Sequence, residues 1–199
     1  MRSSRIAAFL MASALALAAA AGCSSTKGNS SLVQLPATPV PTQNGLAEKE
    51  IIADITQSVE EHGTVFQINS LIDSGHKTDD GRNFYYLDVT IKNTSDTAYD
   101  ISLLNNFFLL MPDLSELSFD IRTQVYASAE YKGYTESPFT VSPGEEFKGY
   151  VGGFLLDESV TDFTVCFFPT ANDMHDKSSV IKCAMNTANA IAPPADMIG

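Results

Sequence analysis

Between Asn83 and Asn93 the chain alternates: Tyr85, Leu87, Val89 and Ile91 take every second position, with Asp88, Thr90 and Lys92 between them. A strand sends successive side chains to opposite faces, so this stretch can bury one side and wet the other. On a helix the same apolar residues would be spread around the axis. Residues 65–72, 101–111, 117–126, 139–141, 147–156, 163–168 and 179–185 also have strand character. Turn signals separate them. Asn93-Thr-Ser-Asp96 is one, and Ser142-Pro143-Gly144-Glu145 places Pro and Gly at the centre of a type II turn. Gly152-Gly153 inside a strand predicts a bulge or a close backbone approach. Short strands at regular spacing predict an all-β chain that folds as an antiparallel β-sandwich over residues 64–185.

Residues 46–61 have a different spacing. Ala47, Ile51, Ile52, Ile55 and Val59 gather on one helical face, with acids mostly opposite. This predicts one N-terminal amphipathic helix over 46–63, with a strand as the alternative because of its β-branched content. The helix bears on a second feature. Phe107-Phe-Leu-Leu-Met111 is apolar on both strand faces: Phe107, Leu109 and Met111 point one way, Phe108 and Leu110 the other. A sandwich strand usually keeps one face polar. Either the helix covers Phe108 and Leu110, which is the favoured reading, or these two residues form an exposed patch that binds a partner.

The N-terminus carries a targeting signal. Arg2 and Arg5 precede an apolar run from Ile6 to Ala21, which ends in Ala20-Ala21-Gly22-Cys23. The run is short for a membrane span, which needs about 20 apolar residues. Basic start and small-residue end fit an export signal over residues 1–22. The cysteine after two small residues resembles the lipobox of bacterial lipoproteins, which implies cleavage before Cys23 and lipid on its sulfur. The other reading is a plain secretory signal with Cys23 a spectator. Two or more acyl chains would hold the chain firmly at a membrane. Residues 23–45 are rich in Ser, Thr, Pro, Asn and Gly and read as a flexible tether. Residues from Asn186, with Pro193-Pro194, read as a flexible tail.

Two further cysteines form an even pair in an oxidising compartment, where disulfides persist. A hairpin that sets Cys166 opposite Cys183, and Phe168 opposite Ile181, turns near Met174 and predicts a Cys166–Cys183 disulfide. Such a bond would stabilise by roughly 3 kcal/mol. Two buried free thiols are the alternative.

The net charge is −12 at neutral pH, and removal of a signal that holds Arg2, Arg5 and no acids takes it to −14. That surface excludes nucleic acid as a partner and lacks a polybasic grip on anionic lipid. No GxSxG, HExxH, Walker or dinucleotide motif is present. Glu145-Glu146 and Asp157-Glu158 are sequence neighbours, and on a strand neighbours face apart. The chain is therefore read as non-enzymatic, with no cofactor and no small-molecule substrate. His62, His76 and His175 are scattered, and the acidic loops Asp73/Asp79/Asp80 and Asp173/His175/Asp176 lack calcium-loop spacing. No metal site is expected. Asn29-Ser-Ser and Asn93-Thr-Ser match a glycosylation pattern that is coincidental in a bacterial lipoprotein.

Three segments carry a family resemblance: Leu87-Asp-Val-Thr-Ile-Lys-Asn-Thr-Ser-Asp96, Ser142-Pro-Gly-Glu-Glu-Phe-Lys-Gly-Tyr-Val151, and the final strand pair. Together they resemble the telokin-like, immunoglobulin-like domain of bacterial surface lipoproteins of unknown function. The resemblance covers roughly residues 64 to 185 and implies an immunoglobulin-like antiparallel β-sandwich. It transfers no catalytic residue. The Cys166/Cys183 pair and the expected helix depart from the family pattern. The sequence thus predicts a lipid-anchored, extracytoplasmic binding domain with a protein or glycan partner in the envelope. The alternative is a structural accessory subunit of an envelope complex.

Overall fold

The computed structural model describes residues 43–169 and 176–199. They fall in one compact unit, Val40–Gly199. The expected signal, Cys23, most of the tether, Asp173, His175 and the hairpin turn near Met174 lie outside the described residues.

Among the described residues the strands are β1 (Lys49–Ala53), β2 (Val59–Glu61), β3 (Thr64–Lys77), β4 (Asn83–Asn93), β5 (Tyr99–Ile101), β6 (Phe107–Leu110), β7 (Glu116–Leu117), β8 (Phe139–Val141), β9 (Glu146–Leu156), β10 (Asp162–Phe167) and β11 (Ser179–Asn186). Three helices are α1 (Leu103–Asn106), α2 (Ile121–Glu130) and α3 (Ala195–Ile198). One sheet runs β1-β11-β10-β6-β7, a second runs β2-β3-β4-β9, and β5 pairs with β8. β1 runs parallel to β11, and the remaining pairs are antiparallel.

The two large sheets face each other. Phe66, Ile68, Leu87, Val89, Ile91 and Val151 of one meet Phe107, Leu109, Val165, Phe167, Ile181 and Cys183 of the other in a single buried cluster. Phe66 stacks on Phe167 at 4.1 Å between ring centroids and meets Phe107 edge-on at 5.9 Å. Each such side chain contributes about 1.5–3 kcal/mol on leaving water. The chain is thus an all-β sandwich, and the alternation read in 83–93 is its inner face: Tyr85, Leu87, Val89 and Ile91 are all buried.

Both predicted backbone devices are present. Gly144 has φ +74°, and Glu145 N–H donates to the Ser142 carbonyl at 3.0 Å. Tyr85 lies opposite Phe154 and Tyr86 opposite Gly152, which leaves Gly153 as the extra residue of a bulge. A Cβ on Gly153 would sit 2.2 Å from the Tyr85 carbonyl oxygen, so only glycine fits.

Four expectations are corrected. The 46–63 helix is absent: a 3-10 turn at Gln43–Gly45 leads to β1 and then β2. Ala53 is buried and Ile51 packs on the core, while Ile52 is 70% exposed. The β-branched residues take the strand option because β11 offers β1 an open edge to pair with. The 117–126 strand is a two-residue β7 followed by α2. Residues 101–111 are interrupted by α1, where buried Asn106 accepts from Ser102 N–H at 2.9 Å and donates to the Phe168 carbonyl at 2.9 Å. The C-terminal tail is packed. Ile191 bonds through its backbone to Leu71 and Asp73, each at 2.9 Å, and Met197 is fully buried.

The outer faces also find cover. On the β2-β3-β4-β9 sheet, Ile72, Phe84, Tyr86, Tyr150 and Leu155 pack under Ala127 of α2 and Met197 of α3. On the other sheet, Phe108, Cys166, Phe168 and Val180 form a separate cluster with Ala47 and Leu110 against it.

Candidate functional site

The residues singled out from the sequence do not gather into one site. Phe108 has no exposed surface and Leu110 is half-buried. Phe108 and Leu110 do share the outer face of β6, as the alternation predicts, but that face is covered. They are not an exposed patch. Cys166 and Cys183 are free thiols, not a disulfide. The hairpin register is offset by one residue from the expected one: Cys166 lies opposite Lys182 and Cys183 opposite Val165. A one-residue offset sends the two side chains to opposite faces of the sheet. Cys183 joins the core and Cys166 the outer cluster. Burial pushes the Cys166 thiol up to about 12 and the Cys183 thiol up to about 11.

His62 meets three groups through one ring nitrogen. Its Nε2 lies 2.9 Å from Ser179 Oγ, 3.3 Å from Ser178 Oγ and 3.4 Å from Glu61 Oε1. Ser179 Oγ also donates to Glu61 Oε1 at 2.9 Å. In a hydrolytic triad the acid and the hydroxyl use different ring nitrogens. Here they share one, and the cluster ties β2 of one sheet to β11 of the other. Among the described residues no group of three or more His, Cys, Asp or Glu side chains is arranged to hold a metal ion.

One open groove, of about 550 Å³, is lined by Ser102, Leu104, Phe119, Asp120, Ile121, Gln124, Ser137 and Pro138. It forms where three excursions from the sheets meet: α1, the start of α2, and the Ser137-Pro138 step before β8, which is a cis peptide. Hydrogen bonds knit the walls together. Leu103 N–H donates to Ser137 Oγ at 2.8 Å, and Ser137 N–H donates to Gln124 Oε1 at 3.3 Å.

α2 supplies one wall, and its local sequence explains why it is a helix. Asp120 caps it by accepting from Arg122 N–H at 2.9 Å. Ala127 and Ala129 then favour the helical backbone. The helix is fixed through Thr123, whose buried hydroxyl donates to the Asp120 carbonyl at 2.6 Å and accepts from Gly153 N–H at 2.8 Å. The Thr123 carbonyl accepts from Tyr86 Oη at 2.8 Å. Tyr134 Oη donates to the Gly152 carbonyl beside it. Desolvation raises the Tyr86 and Tyr134 phenols well above their ordinary value, so both stay protonated donors.

α2 packs Tyr126 against Phe84, with ring centroids 5.4 Å apart, but leaves other large side chains outside. Small Thr123 and Ala127 face the protein, while Ile121 is 59% exposed and Val125 is 67% exposed. Leu104 across the groove is 62% exposed. Two large aliphatic side chains, Leu104 and Ile121, thus stand in water around one concavity, and Val125 is exposed one turn further along α2. The one ionised lining group, Asp120, is gripped by Arg122 through two bonds of 2.9 and 2.6 Å. These bonds hold the Asp120 carboxyl below the usual carboxylate range. The groove therefore presents apolar surface with the neutral polar groups Ser102, Gln124 and Ser137, and no spare charge to meet an ionic ligand.

Sequence reasoning missed this groove. Ile121, Thr123 and Val125 repeat every second residue, which mimics a strand. The signal that could have found the helix was Asp120 as a cap ahead of the Ala-containing run.

The family model described as a domain of unknown function, DUF4352, matches residues 53–174. No curated protein matches the chain in sequence. Among solved structures, a candidate lipoprotein of Bacillus subtilis is similar with a TM-score of 0.49 and 14% identity, over 67% of this chain. This chain spans only 39% of that protein's length. The yjhA protein of Bacillus subtilis has a TM-score of 0.46 and 14% identity, over 67% of this chain and 98% of its own. An uncharacterized beta-sandwich protein of Clostridium difficile has a TM-score of 0.42 and 13% identity, over 74% of this chain and all of its own.

Proposed function

We propose a function for a chain that belongs to the DUF4352 family, a domain of unknown function: a non-catalytic, immunoglobulin-like binding module held outside a bacterial cell by a lipid on Cys23. The observation that carries the binding role is the groove lined by exposed Leu104 and Ile121. Exposed aliphatic side chains around a concavity mark interaction sites more often than solvated surface. The lining favours an apolar segment of a protein partner over a charged metabolite. A glycan would want aromatic platforms and free amide or carboxylate groups, and the single aromatic residue of the lining, Phe119, is half-buried.

The anchoring role rests on Ala20-Ala21-Gly22-Cys23 after a basic, apolar leader. Among the described residues no helix is long and apolar enough to cross a membrane. Lipid on Cys23 would supply attachment in its place.

Two measurements test these parts separately. Cells fed labelled palmitate should label the wild-type chain and Cys166→Ser, but not Cys23→Ser. Label retained in Cys23→Ser rejects the anchor. For binding, thermal unfolding is followed against apolar peptides, glycans, cell-wall fragments and calcium. A ligand at 100 times its Kd adds about 2.7 kcal/mol of stability. Peptides should give that shift, and Ile121→Asp should remove it without changing the unliganded Tm. A shift that survives Ile121→Asp rejects the groove. No shift with any ligand favours the accessory-subunit role.

A further inference from the structure

The outer cluster on the five-stranded sheet is apolar and buried, yet among the described residues no helix or second sheet packs on it. Phe108, Cys166 and Val180 have no exposed surface, nor does Phe168. The segment across them is 43–48, which runs from one side of the sheet to the other. At its start, Gln43 N–H donates to Glu116 Oε2 at 2.8 Å. Glu116 belongs to β7, one edge of the sheet. At its end, Glu48 N–H and Lys49 N–H donate to the Ser178 carbonyl at 2.9 and 3.0 Å. Ser178 immediately precedes β11, which pairs with the opposite edge strand β1. Between these anchors, Ala47 packs on the Phe108 cluster. A second contact closes one end, where Lys177 Nζ sits 4.2 Å above the Phe168 ring.

This cover is held weakly. Among the described residues, its own Gln43 and Glu48 N–H groups, the adjoining Lys49 N–H at the start of β1 and the Ala47 methyl attach it, and its largest apolar side chain, Leu46, is 49% exposed. Hydrogen bonds contribute roughly 0.5–1.5 kcal/mol each, and segments with few buried contacts open at far lower free energy than the global transition. The sheet beneath is held on its other face by the main core, which the cover does not touch.

We propose that residues 43–48 form a releasable strap, which opens without unfolding the sandwich and uncovers a ready-made apolar face made of Phe108, Leu110, Phe168 and Val180 with the Cys166 thiol at its centre. The strap is the entry of the chain into the domain. Anything that draws the N-terminal segment away acts on it before it acts on β1. This holds whether or not Cys23 carries lipid, and it concerns a different surface from the Leu104–Ile121 groove.

The two thiols report the strap and the core separately. Cys166 lies under the strap and Cys183 lies in the sandwich core. The test is alkylation of the full chain in mild detergent across a urea series, read residue by residue by peptide mass spectrometry. Cys166 should react at least tenfold faster than Cys183 in the absence of urea. Its rate should depend only weakly on urea, because a small opening exposes little surface, whereas Cys183 should follow the steep dependence of global unfolding. Ala47→Asp should raise the Cys166 rate at least tenfold again and leave that of Cys183 unchanged. Equal rates with one shared urea dependence would overturn the proposal. So would an Ala47→Asp variant in which both thiols accelerate together, or neither does.

Discussion

Two residue types decide outcomes that composition leaves open. Cys166 and Cys183 sit on neighbouring strands but on opposite faces, so oxidising conditions do not join them without a register slip through the whole hairpin. Reductant should therefore leave the Tm unchanged; a fall of several degrees on adding dithiothreitol would contradict the register. Phe108 makes the second case. It is buried against Phe168, with ring centroids 5.5 Å apart. Phe108→Ala should destabilise by roughly 3–5 kcal/mol in urea unfolding, as a buried aromatic does when truncated. Phe108→Asp should fail to give a cooperative transition. A Phe108→Ala loss below 1 kcal/mol would mean that the side chain is solvent-facing after all.

At the scale of an element, α2 shows how a single cap reverses a pattern. Its β-branched residues repeat with period two, yet Asp120 and the Thr123 bonds commit the segment to a helix. Asp120→Ala should lower stability by about 1 kcal/mol at neutral pH, the usual loss for a cap. The sign of the pH effect follows from the lowered carboxyl. Arg122 stabilises the ionised form in the folded chain, so the increment is present above the ordinary carboxyl value of 3.8 and is lost as pH falls through the lower folded value. The gap between wild type and Asp120→Ala should therefore be constant from pH 5 to 8 and narrow below pH 4. A gap that widens on acidification would rule out the Asp120–Arg122 pairing.

Across the described residues, the segments at either end, around Ala47 and from Ile191 to Met197, pack on the outer faces of the sandwich. Met197 is fully buried in one cluster with Ala127 of α2 and with Phe84, Tyr86 and Tyr150 of the sheet. Met197→Ala should cost roughly 2–5 kcal/mol, a loss that a frayed tail could not produce. Chemical denaturation of that variant checks it. Much of this architecture was legible in the sequence. β4 appears with the bounds its alternation implied, the Pro143-Gly144 turn and the Gly153 bulge fall where they were read, and the all-β sandwich follows from them. These features are local: side-chain period, a positive φ and a missing Cβ are fixed by residues within a few positions of one another. What the tertiary structure alone decided were matters of partnership. Residues 49–53 are a strand because β11 has a free edge, and the cysteines stay apart because the hairpin pairs one residue off the expected register. The outward-facing Phe108 of β6 is buried because Cys166, Phe168 and Val180 cluster with it and Ala47, far away in the chain, packs against them. Each depends on contacts between segments far apart in the chain, whose energies no local pattern records. The groove at Leu104, Ile121 and Pro138 belongs with them, since its walls come from three separate excursions that only the closed sandwich brings together.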